Sequence, residues 1–144
     1  MKTKSAIAFL SIMFIFTLLK CGNKPAQASI DCSVTNMIGS SDVPESLGSP
    51  TKNDDNGKVY ENVVFNGVKG KLTVNDSSGK VTLISWISTE SCPDKKDTFK
   101  DLLTREYGNP VINGAGLLGT KFKKDTVSCF FGTNDNGSIS VMWK

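Results

Sequence analysis

The sequence contains no histidine. That absence removes the Ser-His-Asp and Cys-His arrangements of nucleophilic catalysis, and with them any imidazole proton shuttle. Cysteine is scarce as well. The four are Cys21, Cys32, Cys92 and Cys129, and no two form a Cys-x-x-Cys. Lacking both that spacing and histidine, the chain offers no zinc site. It has no Walker A loop and no dinucleotide fingerprint, so no nucleotide and no cofactor is implied. No linker or low-complexity stretch divides it. The apolar run Ala6–Leu19 has 14 residues, short of the roughly 20 that span a bilayer.

That run sits in a leader with the three parts of a secretory signal. Lys2 and Lys4 form its basic start, and Ala26-Gln27-Ala28 offers the small-x-small site that signal peptidase cuts. Residues 1–28 therefore read as a signal peptide and 29–144 as one exported domain. A rival cut precedes Cys21, where Leu18-Leu19-Lys20-Cys21 resembles a lipobox. Lipidation of Cys21 would tether the protein to a membrane. Lys20 stands where that pattern takes a small residue.

The formal charge of +3 comes from the leader. Removing Lys2, Lys4, Lys20 and Lys24 leaves 13 basic and 14 acidic residues, a net of −1. A near-neutral domain lacks the electrostatic footprint of a nucleic-acid binder. Export also permits disulfides. Cys92–Cys129 is the favoured bridge, because Cys92 precedes a helix and Cys129 lies in a strand. Closing that loop would stabilise by roughly 3–4 kcal/mol. Cys32–Cys92 and Cys32–Cys129 stay open.

Local patterning gives an α+β domain with an antiparallel sheet, one clear helix and one short one. The helix is Asp94 to Tyr107. Pro93 precedes it, Asp94 can cap it, Phe99, Leu102 and Leu103 share a face, and Gly108 with Pro110 ends it. Strands are expected at Lys58–Phe65, Val68–Asn75, Lys80–Ile87, Thr120–Lys123, Thr126–Phe131 and Ser138–Trp143. Asn66-Gly67, Ser78-Gly79 and Asn136-Gly137 mark turns between them. In the last strand Ile139, Val141 and Trp143 point one way, and Ser138, Ser140 and Met142 the other.

The two halves match when laid side by side. Leu47-Gly48-Ser49-Pro50 answers Tyr107-Gly108-Asn109-Pro110, Phe65 answers Phe122, Gly79 answers Gly137, and Trp86 answers Trp143. Repeats over 39–87 and 94–143, each a helix plus three strands, would fill the exported chain. The first helix is the weaker: Ser41 could cap it, but Pro44 and Gly48 leave room for only a turn or two.

Gly39-Ser40-Ser41-Asp42-Val43 followed by Leu47-Gly48-Ser49-Pro50 resembles the opening of SmpA/OmlA-type envelope lipoproteins. With the duplication, the chain is also similar to the tandem-repeat β-lactamase inhibitor proteins. The resemblance implies export and, from the inhibitors, two helix-plus-sheet repeats forming one concave protein-binding surface. No binding residue is carried over.

The remaining motifs carry little chemistry. Ser49–Lys52 and Ser77–Lys80 have the Ser-x-x-Lys spacing, but in turns beside Pro or Gly rather than on a helix. Asp54-Asp55-Asn56-Gly57 and Asn134-Asp135-Asn136-Gly137 lack the carboxylate that a calcium loop needs at position twelve, and read as turns. Glu45, Glu61, Glu90 and Glu106 could supply a carboxylate pair for glycoside hydrolysis, but no spacing selects two of them. Asp94, Asp97 and Asp101 with Lys95, Lys96 and Lys100 form a solvated helix face. Asn113–Gly119 reads as a mobile or partner-contacting loop. Trp86 and Trp143 suit the core, and Tyr60 is the expected exposed aromatic. Tyr60 and Trp86 are the candidate partner contacts. The expected function is therefore a non-enzymatic exported module that binds another protein, of the inhibitor or immunity kind. The alternative is an envelope lipoprotein with a structural role, meeting a membrane only through Cys21.

Overall fold

Two dipeptides with positive φ at both positions turn the first half into a meander. Asn66-Gly67 (φ 49° and 78°) joins β3, Gly57–Phe65, to β4, Val68–Ser77. Ser78-Gly79 (φ 52° and 74°) joins β4 to β5, Lys80–Ser88. Such turns match the right-handed twist of the strands they connect. The computed structural model describes residues 27–116 and 118–144. Residues 1–26, which include Cys21 and most of the expected signal peptide, lie outside the described residues.

The described residues open with a short β1, Ser29–Ile30, and a 3-10 turn at Cys32–Met37. The Asp31 carboxylate caps that turn by accepting from the Ser33 N–H at 2.8 Å. Where the first helix was expected there is only a 3-10 turn, Glu45–Leu47, entered from Pro44 and closed by Gly48 at φ 70°. Ser41 does not cap it. Then come β2, Lys52–Asp54, and the β3–β5 meander.

The second half opens with a 3-10 turn, Pro93–Lys95, leading into α1, Lys96–Tyr107. Asp94 lies in the turn and makes no cap bond; it pairs with Lys95 at 3.7 Å. Gly108 ends α1 at φ 83°, its N–H donating to the Thr104 carbonyl. The strands β6, Ile112–Asn113, β7, Thr120–Lys124, β8, Val127–Thr133, and β9, Ile139–Trp143, follow.

These strands make one nine-stranded sheet in the order β1-β3-β4-β5-β9-β8-β7-β6, with β2 also on β3. Every pair is antiparallel except β1 with β3, so the sheet is mixed and the fold α+β. The halves meet where Ile84 faces Trp143 and Trp86 faces Val141.

One face of the sheet is the core. Phe99 of α1 stacks on Trp86 at 5.5 Å and meets the edge of Phe65 at 5.3 Å, and Phe65 in turn touches Trp143. The Trp86 indole N–H donates to the Val63 carbonyl at 3.0 Å. Its ring lies over Gly70, where any Cβ would collide with it. Each such ring taken from water contributes about 1.5–3 kcal/mol. Val34, Met37, Leu47, Phe99 and Leu103, from the 3-10 turns and α1, join the strand side chains in one cluster.

Candidate functional site

Alternation places the opposite strand residues on a second face, which no described helix covers. The register aligns them in rows. One row runs Val59, Thr73, Ser85, Met142, Phe130, Lys121 across β3, β4, β5, β9, β8 and β7. A second runs Lys71, Ile87, Ser140, Gly132. Beside the first, Lys123 faces Ser128, and Ser128 exchanges backbone hydrogen bonds with Lys144. The Lys121 and Lys144 ammonium groups lie 5.3 and 5.2 Å from the centre of the Phe130 ring. Ile87 is 36% exposed.

The charged side chains in these rows are all lysines. Lys71 and Lys121 stand four strand spacings apart, about 19 Å. Between them lie Met142, Phe130 and Ile87 among small hydroxyl residues. Such a surface can cover a flat partner with aromatic and thioether contacts and meet carboxylates at both sides. The four lysines keep their charge in water, so they guide approach more than they add affinity.

A second feature lies on the core side. Cys32, Thr35, Glu106, Tyr107, Lys124 and Val127 line a cleft of about 280 Å3. Its floor is polar yet incompletely bonded. The Tyr107 hydroxyl comes near Thr35 and the Trp143 indole N–H without completing a hydrogen bond to either. Burial pushes the Cys32 thiol up to about 11, helped by the negative charges of Glu106 and Asp31 and opposed by Arg105. Burial also raises Cys129 and Tyr107, each further raised by the Cys32 thiolate's field.

The residues singled out in the sequence are placed as follows. Tyr60 is buried at 4% exposure and Trp86 at 0%. Both are core residues, so neither can touch a partner. Cys32, Cys92 and Cys129 are all free thiols, and the fold holds Cys92 and Cys129 apart. Cys129 faces Trp143, which faces Ile84, whereas the Cys92 thiol donates to the Ser88 hydroxyl at 3.4 Å. Ser88 is four residues beyond Ile84, about 13 Å along the strand, and a disulfide needs Cα atoms within about 7 Å.

Glu45 and Glu61 share a cleft of about 600 Å3. Both are exposed. The two Asn/Asp-Gly segments are turns, with the Asn56 N–H donating to Asp54 and the Ser138 N–H to Asn136. In the glycine loop the Gly114 N–H donates to the Gly119 carbonyl, and the Thr133 N–H to the Gly116 carbonyl. A Cβ at Gly119 would collide with the Ala115 backbone.

Phe130 was missed because Phe130 and Phe131 are adjacent, and only the register shows which one faces outward; strand alternation places Met142 on the face opposite Trp143 without marking it as a contact. No family model, no curated protein and no solved structure matches this chain.

Proposed function

We propose that the chain is an exported, non-enzymatic module that holds a protein partner on the open face of its sheet. The observation that carries this reading is the asymmetry of the sheet. One face is filled by α1 and the 3-10 turns, and the other displays Met142, Phe130 and Ile87 between lysines. The lysine chemistry favours a partner that presents carboxylates. The leader over 1–28 supplies export, and the missing histidine narrows the catalytic options.

The halves are further proposed to be two copies of one unit. Support comes from the central register. An offset of about 57 residues turns Ile84 into Val141 and Trp86 into Trp143, and the pairs Ile84–Trp143 and Trp86–Val141 exchange under it. β2 on β3 and β6 on β7 repeat the same outer pairing.

The alternative of a lipoprotein anchored through Cys21 is compatible with the same face. The Val64 N–H donates to the Ala28 carbonyl at 2.9 Å, so the arm enters at the β3 side.

Capture from the producing cell's envelope and medium tests the binding surface. Met142→Glu places a carboxylate in the centre of the row without touching the core. The partner retained by the wild-type protein is expected to be lost by Met142→Glu, while the two melting curves coincide. Retention by both proteins, or by neither, would overturn the open face as the binding surface.

A further inference from the structure

We propose that Cys32 and Cys129 form a disulfide that ties the N-terminal arm to the core face of the sheet. Both cysteines converge on Tyr107. Cys32 shares the cleft with Tyr107 and with Val127 of β8. Cys129 lies two residues beyond Val127, on the same face of the same strand. It is fully buried and directly opposite Phe122, whose ring is 6.5 Å from that of Tyr107. The charge of a Cys32 thiolate reaches Cys129 and opposes its ionisation. Cys92 is engaged elsewhere, against Ser88 and beside the turn at Gly137.

A covalent tie would add to the hold the arm already has: the two-residue β1, the Gln27 side-chain bond to the Asn62 carbonyl, the backbone bonds of residues 28, 39 and 40, and the packing of Ala28, Ile30, Val34, Met37 and Ile38. A bridge from Cys32 would fix it at its middle. It would also remove the two thiols whose ionised forms act on the Tyr107 hydroxyl.

The oxidant is a donor disulfide, either oxidised glutathione or an exchange protein of the oxidising compartment. Cys32 reacts first, because it is half-exposed at the cleft while Cys129 is not. Its sulfur attacks one donor sulfur, breaks the donor S–S bond and releases one donor thiolate, leaving a mixed disulfide. The Cys129 sulfur then attacks the Cys32 sulfur and releases the second donor thiolate. Two protons pass from the cysteines to the two departing thiolates, and two electrons pass to the donor.

Refolding of the full chain in mixed reduced and oxidised glutathione separates this idea from the export reading, because no translocation is involved. After alkylation of free thiols, tandem mass spectrometry of unreduced peptides is expected to find Cys32 joined to Cys129 and Cys92 alkylated. Cys92→Ser should leave the crosslink in place, and Cys32→Ser should abolish it. A dominant bridge containing Cys92 or Cys21, or a refolded chain with every thiol alkylated, would overturn the assignment.

Discussion

Cys32, Tyr107 and Cys129 hold three ionisable protons against one patch of core. Burial is the first cause of each shift, and every shift is upward. The sign of the consequence follows. For Cys32 the folded value of about 11 exceeds the ordinary 9.0, so the fold grips the proton more tightly than the unfolded chain does. Its contribution is whole below pH 9.0 and is lost as pH climbs through about 11. Cys129 and Tyr107 act in the same direction at higher pH. The reduced protein should therefore unfold at lower urea near pH 10 than near pH 7, by roughly the sum of these effects. Equal midpoints would mean that the three groups are not buried together. The bridged protein, with two of the three protons gone, should show the smaller drop.

Residue-level legibility depended on parity. Counting back by twos from Phe65 along β3 places Val63, Glu61 and Val59 inward and Tyr60 outward. A bulge between Tyr60 and Val63, with Asn62 at φ 58°, adds one residue and reverses that order. Tyr60 then faces the core opposite Leu72, and Val59 joins the open face. Nothing in Tyr60-Glu61-Asn62-Val63 announces the extra residue, because Asn adopts positive φ in turns as readily as in bulges. Trp86 was ambiguous for another reason. An indole pairs a large apolar body with one donor, and it is buried only when an acceptor is available. The acceptor here is the Val63 carbonyl, which the bulge helps to present.

At the scale of elements, α1 and the six longer strands were readable because each repeats its own period. The Phe99–Leu102–Leu103 stripe, Pro93 and Gly108 located the helix, and the Gly turns located the hairpins. The short pieces were not readable. β1, β2 and β6 have two or three residues each, too few for a period, and they form because a neighbouring strand offers free backbone groups. The weaker helix shrank to a 3-10 turn because Pro44 and Gly48 leave three residues between them.

The main contribution of α1 is one ring. Phe99 is fully buried between Phe65 and Trp86. Phe99→Ala should cost about 3–5 kcal/mol, by lost burial and by the cavity left between two aromatic walls. Urea titration followed by tryptophan fluorescence checks this. A loss under about 1 kcal/mol would place the helix outside the cooperative core. The proposed Cys32–Cys129 bridge acts on a larger loop than the expected Cys92–Cys129 one would have. Its loop of nearly the whole domain corresponds to about 4–5 kcal/mol in the chain-entropy account.

At the scale of the whole molecule, charge and shape are distributed differently. Residues 29–144 are nearly neutral, with 13 basic and 14 acidic residues. Yet the described rows of the open face carry Lys71, Lys121, Lys123 and Lys144. A domain with a net charge of only −1 thus presents a local positive field on one side. Fields of that kind act through encounter and are screened within about 10 Å at 0.1 M salt. The apolar centre of Met142, Phe130 and Ile87 acts only once the surfaces touch, and salt barely alters it.

The two contributions should therefore separate in kinetics. Once a partner is in hand, raising salt from about 0.05 M to about 0.5 M should slow association several-fold and leave dissociation nearly unchanged. Lys71→Glu with Lys121→Glu should mimic high salt. Phe130→Ala should do the reverse, hastening dissociation with little effect on association. Surface plasmon resonance on the wild type and both variants reads these rates directly. If salt instead alters dissociation and Phe130→Ala alters neither rate, the partner sits elsewhere on the molecule, and the lysines of the open face serve only to keep a long uncovered sheet from pairing with itself.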